Sequence, residues 1–233
     1  MSRFLYNANA LALGGTLTRP FQGFIPSQSA CVLPQTGGKA SSSSVGYEVR
    51  DPATGNLILK IGSSETSVEG GDTGASARTV INSTVRDLDV LGVFKVAEIT
   101  LHVETTAQDE GRQVSMTGSA FRGVSIGGRT FDITFDDAMA AEAADYKQFR
   151  KDHSEIPSSK GETLYTLARS PELKNEPENY GYYYQPDFGR IYFAEWTAAP
   201  NRQSINMLRL ELGSPAAGRV IVAGADNNGI WFP

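Results

Sequence analysis

One stretch of the sequence places ionisable residues at spacings that suit chemistry. Glu98, His102 and Glu104 lie four and two positions apart, and residues an even number apart share one face of a strand. A histidine between carboxylates can ligate a metal ion or transfer protons. A solvated strand face shows the same pattern, and we favour this second interpretation because the chain has only two histidines. We therefore expect no metal site and no cofactor.

A second motif, Gly123-Val124-Ser125-Ile126-Gly127, has the spacing of a hydrolase nucleophile elbow. That elbow requires a strand, a sharp turn that carries the serine, and then a helix. Ser125 instead lies within a predicted strand, and another predicted strand follows it. Too few residues separate Ser125 from His153 to hold the remaining parts of a triad. We therefore predict no catalytic residue and interpret the glycines as turn residues.

The most unusual local composition is an aromatic run near residue 180. Tyrosine has a flat apolar body and a polar tip, which suits protein interfaces and ligand platforms. The alternative is that one face of this strand packs on the core and the other is ordinary surface. The candidate residues for binding a ligand or a partner are Tyr180, Tyr182, Tyr183, Tyr184 and Phe188.

Composition excludes several classes of protein. The 233 residues carry a net charge of −5 without a cluster of Lys or Arg, so we expect no nucleic-acid partner. The single cysteine, Cys31, excludes an intrachain disulfide. No apolar run is long enough for membrane insertion, and the first residues make a poor secretory signal. A cytoplasmic location is the default expectation, with export by another route left open.

Alternation of apolar and polar residues predicts a sheet. The odd-numbered residues from Val93 to Val103 form the predicted apolar face of one strand. Turn residues predict two hairpins, one over 45–61 closed by Asp51–Asn56 and one over 121–135 closed by Gly127-Gly128. Three further predicted strands lie at 190–197, 204–212 and 219–223.

These elements predict a mainly β fold, an antiparallel β-sandwich or barrel-like sheet with one long α-helix at about 136–153. Asp136 and Asp137 can cap that helix. We expect a single domain over residues 1–233. It would carry a Pro-, Gly- and Ser-rich arm at 20–44, an exposed loop at 62–77 and a helical insertion at about 136–170 that includes a second short helix over 161–169.

Residues 78–135 carry the patterns STVRDLDVLGVFKVAEITLHVET and GSAFRGVSIGGRTF. These patterns resemble the β-rich repeats of bacterial surface proteins of the choice-of-anchor type. The segment NANALALGG resembles a degenerate copy of the repeat. The resemblance implies a structural or adhesive role.

We predict a non-enzymatic structural or interaction protein. It would bind itself or another protein through the edges of its sheets and the Tyr-rich surface, because edge strands offer unpaired backbone groups to another chain. The alternative is a β module that binds a small molecule or a glycan on the tyrosines. A third hypothesis, an enzyme, would draw its acid and base from Glu98, His102, Glu104 and Asp132.

Overall fold

The computed structural model of the chain describes residues 3–17, 21–108, 111–156, 158–159, 162–175, 181–199, 202–213, 218–227 and 230–232. The fold is mainly β, with antiparallel sheets and few helices, as the sequence predicts. In chain order the strands are β1 (Arg3–Leu5), β2 (Ala8–Leu17), β3 (Gly23–Val32), β4 (Gly38–Arg50), β5 (Leu57–Asp72), β6 (Ser76–Val90), β7 (Phe94–Gln108), β8 (Gly111–Ser115), β9 (Ala120–Arg122), β10 (Val124–Ile126), β11 (Arg129–Phe131), β12 (Thr134–Phe135), β13 (Ser158–Ser159), β14 (Glu162–Thr166), β15 (Ala168–Arg169), β16 (Lys174–Asn175), β17 (Gly181–Gln185), β18 (Gly189–Ala199), β19 (Arg202–Leu212), β20 (Gly218–Asn227) and β21 (Ile230–Phe232).

Most strands belong to two large sheets. Sheet I has the order β11-β10-β7-β6-β5-β4, with β8 and β9 also paired to β7. Sheet II has the order β13-β14-β18-β19-β20-β2-β3, with β17 paired to β18 and β16 paired to β17. Two smaller sheets pair β1 with β21 and β12 with β15. Because β3 ends sheet II and β4 ends sheet I, the chain passes from one sheet to the other along an edge.

The two large sheets contact each other through aromatic side chains. The ring of Phe94 on β7 lies 6.4 Å from Phe188 and 6.2 Å from Phe193 of β18. Phe121 of β9 meets Phe193 edge to face at 5.4 Å. All four rings are buried in one hydrophobic cluster that draws residues from both sheets. Burial of this apolar area is the main contribution to the stability of the fold.

A row of irregular residues crosses sheet I and shifts which residues face the core. The row has one residue on each of the strands β4 to β7 and one between β9 and β10, and each of these residues lies between regularly paired positions. They are Gly46, Gly62, Asp87, Ala97 and Gly123. The φ angles of Gly46, Asp87 and Gly123 are +66°, +55° and +64°. The row also corrects the predicted face of β7, whose buried residues are even-numbered before Ala97 and odd-numbered after Glu98. The register is the same on both sides of the row, so no residue is inserted, and only the alternation of buried and exposed positions changes there.

Sheet II contains a similar row. Three of its residues have positive φ angles: Ser29 at +47°, Ala223 at +52° and Ala194 at +47°. Ala12 and Met207 occupy the same row on the strands between them. Left-handed conformations are costly for residues other than glycine. The five residues of the row lie on one line across sheet II, and the register of the strand pairs is the same on both sides of that line.

The predicted long helix is wrong, because two short helices take its place. They are α1 (Asp137–Glu142) and α2 (Tyr146–Asp152). Asp136 caps α1, as predicted, by accepting a hydrogen bond from the backbone N–H of Met139 at 3.1 Å. Asp145 accepts from the N–H groups of two residues of α2, so its carboxylate starts a second helix instead of continuing the first.

The predicted helical insertion also ends early. Residues predicted as a second helix within 161–169 form β14 and β15 instead. β14 pairs with β18 in sheet II, and its Thr163 and Tyr165 are buried. Pairing with a buried neighbouring strand outweighs the local helical tendency of this segment.

The predicted arm at 20–44 and the predicted loop at 62–77 are wrong. β3 and most of β4 occupy the first segment, while β5 and the start of β6 occupy most of the second. Serine and glycine favour loops locally, but here a neighbouring strand satisfies their backbone groups. The predicted hairpin over 45–61 is confirmed, with Gly55 at φ +74° in its turn. The second predicted hairpin turns at Gly127 and Gly128, with φ +57° and +80°, but it is shorter than predicted, because only β10 and β11 pair in it while β9 pairs with β7 and β12 with β15.

Candidate functional site

The edge strand β4 is the element of sheet I that is most open to another chain. It pairs with β5 from Gly38 opposite Gly70 to Arg50 opposite Leu57. In the part of the chain that the structure describes, no strand pairs with its other side. The backbone N–H and C=O groups on that side are available to a further strand.

β4 exposes its side chains as well as its backbone. None of its 13 residues is buried, and Val45 is 86% exposed. The charged side chains lie near the two ends of the strand. Lys39 at one end lies 3.5 Å from Glu69, and at the other end Glu48 lies 2.8 Å from Arg50 and 3.8 Å from Lys60. The middle of the strand is therefore a run of small, neutral residues with positive and negative charge beyond it.

Three serines hold this edge in place. Ser64 on β5 lies 2.8 Å from Ser29 on β3 and 2.9 Å from Ser44 on β4, measured between hydroxyl oxygens. Ser29 and Ser64 are buried. Thr66 also donates a hydrogen bond of 2.7 Å to the backbone oxygen of Ser29. Because the hydroxyl groups of these small side chains form hydrogen bonds with one another, β3 can lie close to β4 and β5 and hold the edge in place.

The edge strand of sheet II lies beside β4 and is also apolar in places. β3 exposes Phe24 by 72% and Val32 by 67%. Among the described residues, these two and Val45 are three of the five large hydrophobic side chains that are exposed. Phe24 and Val32 lie near opposite ends of β3, so they are separate exposed apolar side chains along this edge.

The structure divides the Tyr-rich segment between the core and the surface. Tyr183 packs on Phe131, with 4.8 Å between ring centroids, and Phe188 is only 2% exposed. These two residues therefore follow the alternative interpretation, core packing. Tyr182 is half-buried against Tyr192, and Tyr184 is 55% exposed. Tyr180 lies outside the described residues.

Glu98, His102 and Glu104 share the outer face of β7, but each has separate partners. Arg86 and Arg122 lie 3.0 and 3.2 Å from Glu98. A hydrogen bond from Arg78 holds the pKa of Glu104 below its usual range, against the opposing effect of partial burial. The His102 Nδ1 atom lies 2.7 Å from the Asn82 Oδ1 atom. The two carboxylates are thus neutralised by arginines and do not converge on the histidine.

Sequence reasoning missed a buried charge network on β18 and β19. Arg209 donates hydrogen bonds of 2.6 and 2.7 Å to Glu195 and a further bond to Glu211. Tyr192 donates to Glu211 at 3.2 Å, and the Arg209 guanidinium lies 3.5 Å from the centre of the Tyr192 ring. All four residues are buried. The available signal was the alternation of Arg209 and Glu211 with leucines on a predicted strand.

The charges in this network determine the protonation of the arginine. Burial by itself lowers the pKa of Arg209, but the hydrogen bonds and charge of Glu195, together with the charge of Glu211, raise it on balance. Arg209 therefore stays charged, and together with Tyr192 it gives each oxygen of the two buried carboxylates one hydrogen bond. This arrangement is closed and saturated, which fits a structural role in sheet II.

Two further observations concern metal binding and membrane crossing in the described part of the chain. Groups of three or more His, Cys, Asp or Glu side chains placed to hold a metal ion do not occur there. Neither α1 nor α2 has the length and apolar character needed to cross a bilayer.

The family model described as "Domain of unknown function (DUF8256)" matches residues 4–174. The chain belongs to the DUF8256 family. No curated protein and no solved structure matches it. The DUF8256 match contains all of sheet I and the β3–β4 edge, but it ends before β17. Strands β18, β19 and β20 lie between β14 and β2 in sheet II, so residues beyond the match complete that sheet.

Proposed function

We propose that this DUF8256 protein is a non-enzymatic structural protein that self-associates through the β4 edge. The observation that carries the proposal is a 13-residue edge strand without a buried residue, paired on one side only in the described residues. An added strand would gain backbone hydrogen bonds along this side. The serine contacts to β3 and β5 hold the edge in one conformation, so that little ordering entropy opposes binding.

A second copy of the chain is the partner that fits this edge. An antiparallel pair of β4 strands brings the Lys39 end of one copy toward the Glu48 end of the other. Opposite charges across a strand pair are favourable. The same patch then serves on both copies, which is the geometry of a two-fold symmetric dimer. Val45, with Phe24 and Val32 on β3, would add apolar contact.

The proposal includes the finer architecture of the fold. Sheets I and II have separate strand orders, and their inner faces meet through Phe94, Phe121 and Phe193. These contacts support a β-sandwich over a single closed barrel. In a sandwich, β3 and β4 form one open side on which a second copy can dock. A cytoplasmic location and a role like that of choice-of-anchor surface proteins both stay predictions, and the proposed assembly depends on neither.

Light scattering across a concentration series tests the proposal. The wild-type chain should exceed its monomer mass of 25.1 kDa as concentration rises. Val45→Lys should shift the distribution to monomer, because a lysine on an edge opposes strand addition. Tyr184→Lys is the matched control, since it places the same charge at another exposed residue, and its mass distribution should equal that of the wild type.

Hydrogen exchange supplies a second measurement on the same samples. Amides of β4 should exchange more slowly as protein concentration rises, while those of β17 should not change. A wild-type chain that is monomeric at every concentration contradicts the proposal. A loss of mass in Tyr184→Lys but not in Val45→Lys would also overturn it, because assembly would then use the tyrosine surface.

A further inference from the structure

A shallow trough runs across the outer face of sheet I. Its volume is about 470 Å³, which lies within the usual range of ligand sites, roughly 300–1,000 Å³. Two adjacent rows of outward-facing side chains line it, and both rows cross β4, β5 and β6. We call this feature the serine trough; its outward-facing side chains are Ser41, Ser43, Glu65, Ser67, Asn82 and Thr84, and Ser42 and Thr66 complete the lining between the two rows.

The lining of the serine trough differs from that of most small-molecule pockets. It offers hydroxyl groups, one amide and one carboxylate, without an aromatic or aliphatic side chain. Ser41, Ser43 and Glu65 are exposed, while Ser67, Asn82 and Thr84 are half-buried. Such a surface can give and accept many hydrogen bonds but cannot bury much apolar area.

A hydrogen-bond chain orients part of this lining. The Asn82 Oδ1 atom can only accept, so the Nδ1 atom of His102 donates to it across 2.7 Å. The amide nitrogen of Asn82 then donates to the Ser67 hydroxyl oxygen at 3.2 Å. Because Ser67 accepts this bond, its own hydrogen can turn outward and donate to a ligand. The chain thus presents an oriented donor on a rigid strand.

The charges around the serine trough are balanced. On one side, Lys39 lies 3.5 Å from Glu69, and Arg78 lies 2.6 Å from Glu104. On the other side, Arg86 lies 3.0 Å from Glu98 and 4.0 Å from Glu65. With these pairs formed, the trough exerts little attraction on an anionic or cationic ligand. A neutral ligand that is rich in hydroxyl groups meets the lining best.

We propose that the serine trough binds a neutral oligosaccharide. Its hydroxyl groups would exchange bonds with Ser41, Ser43 and Thr84, accept from Ser67 and donate to Glu65. An apolar peptide would find no apolar lining there, and a nucleic acid would meet a carboxylate and no cation in the lining. The inference does not depend on self-association, because strand addition at β4 uses backbone groups at the edge whereas the trough uses side chains of the sheet face.

Titration of the full chain with sugars tests the proposal. The probes are three neutral linear hexasaccharides, one β-1,4-glucan, one α-1,4-glucan and one β-1,4-xylan, each added to the ¹⁵N-labelled protein. At least one should give saturable amide shifts confined to the serine trough and its neighbours. Polygalacturonate, which is a charged polymer of similar sugars, should give weaker shifts because its carboxylates lose water in the trough without meeting an unpaired cation there.

Two variants separate the trough from the rest of the sheet face. Thr84→Leu removes a hydroxyl from the trough and fills it, and should weaken sugar binding at least about tenfold, equivalent to about 1.4 kcal/mol. Thr106→Leu should leave the affinity unchanged, because Thr106 lies on β7, on the same outer face of sheet I but outside the trough.

Several outcomes would overturn the inference. Absence of shifts with all three hexasaccharides at their solubility limit is one. Shifts centred on Tyr182 and Tyr184 would move the site to the tyrosines, and equal binding by Thr84→Leu and the wild type would exclude the trough. Because the wild-type mass distribution is measured separately, failure of sugar binding leaves the self-association test intact.

Discussion

At the scale of single residues, Arg209 holds two buried carboxylates in sheet II. Its guanidinium bonds to both Glu195 and Glu211 and stacks on the Tyr192 ring. A buried charge is tolerated only when its partners satisfy it, and the partners depend on it in the same way. Loss of the arginine would leave two glutamates without a counter-charge in a site that water barely reaches.

Arg209→Met should therefore destabilise the protein by about 3–5 kcal/mol, since it keeps the length of the side chain and removes its charge. The free energy of unfolding from urea titration checks this value. Lys95→Met is the matched control, because the Lys95 side chain, which pairs with Asp89, is 56% exposed and lies outside the proposed β4 interface. An exposed pair contributes about 0–1 kcal/mol. A similar small loss for Arg209→Met would contradict the structural role of the network.

At the scale of elements, the two short helices are joined by a histidine. His153 follows α2, and its Nε2 atom lies 2.9 Å from the Glu142 carboxylate at the end of α1. Its Nδ1 atom lies 3.5 Å from Glu155, and its ring packs on Phe149. The hydrogen bond to Glu142 raises the pKa of His153 above its ordinary value of 6.5, against the opposing effect of burial.

This contact makes the stability of the helical segment depend on pH. A raised pKa in the folded state means that protonated His153 stabilises the fold, fully so below about pH 6.5. The contribution is lost as the pH rises through the raised pKa. His153→Gln should therefore lower stability more at about pH 5 than at about pH 8, as measured by urea unfolding. In a Glu142→Gln background, the same substitution should show a much weaker dependence on pH; an unchanged dependence would exclude Glu142 as the cause.

At the scale of the whole molecule, the two large sheets depend on a common core. Phe94 and Phe121 of sheet I pack against Phe193 of sheet II, and the buried residues form one cluster. Neither sheet can expose its inner face to water without loss of this burial. The DUF8256 match stops before β18, although Phe193 lies on that strand.

We expect both sheets to unfold in one transition. Phe193→Ala, at the contact between the sheets, should cost about 3–5 kcal/mol. In this variant, the amides of β6 and of β19 should lose their protection from hydrogen exchange at the same urea concentration, and that concentration should be lower than in the wild type. Tyr184→Ala is the control, because Tyr184 is 55% exposed and lies outside the proposed β4 interface, so its removal should change stability much less than Phe193→Ala does. Separate transitions for the two sheets would contradict the common core and the single domain.

Local chemistry alone determined the parts of the fold in which a turn or a cap decides the conformation. Pro52 and Gly55 closed one predicted hairpin, Gly127-Gly128 closed the other, and Asp136 capped the predicted helix start. Each depends on a preference of its own backbone or side chain, so that neighbours distant in sequence are not needed. Two central strands of sheet II were also predicted, at 190–197 and 204–212.

Tertiary structure decided the candidate site. The Ser-rich residues of β4 have small polar side chains on both faces, so no alternation marks them as a strand, and the segment was predicted as a loop or an extended arm. Pairing with β5 gives their backbone groups partners and turns the arm into an edge. In the same way, contacts across strands buried Arg209 and Phe188, because burial depends on which distant residues pack alongside.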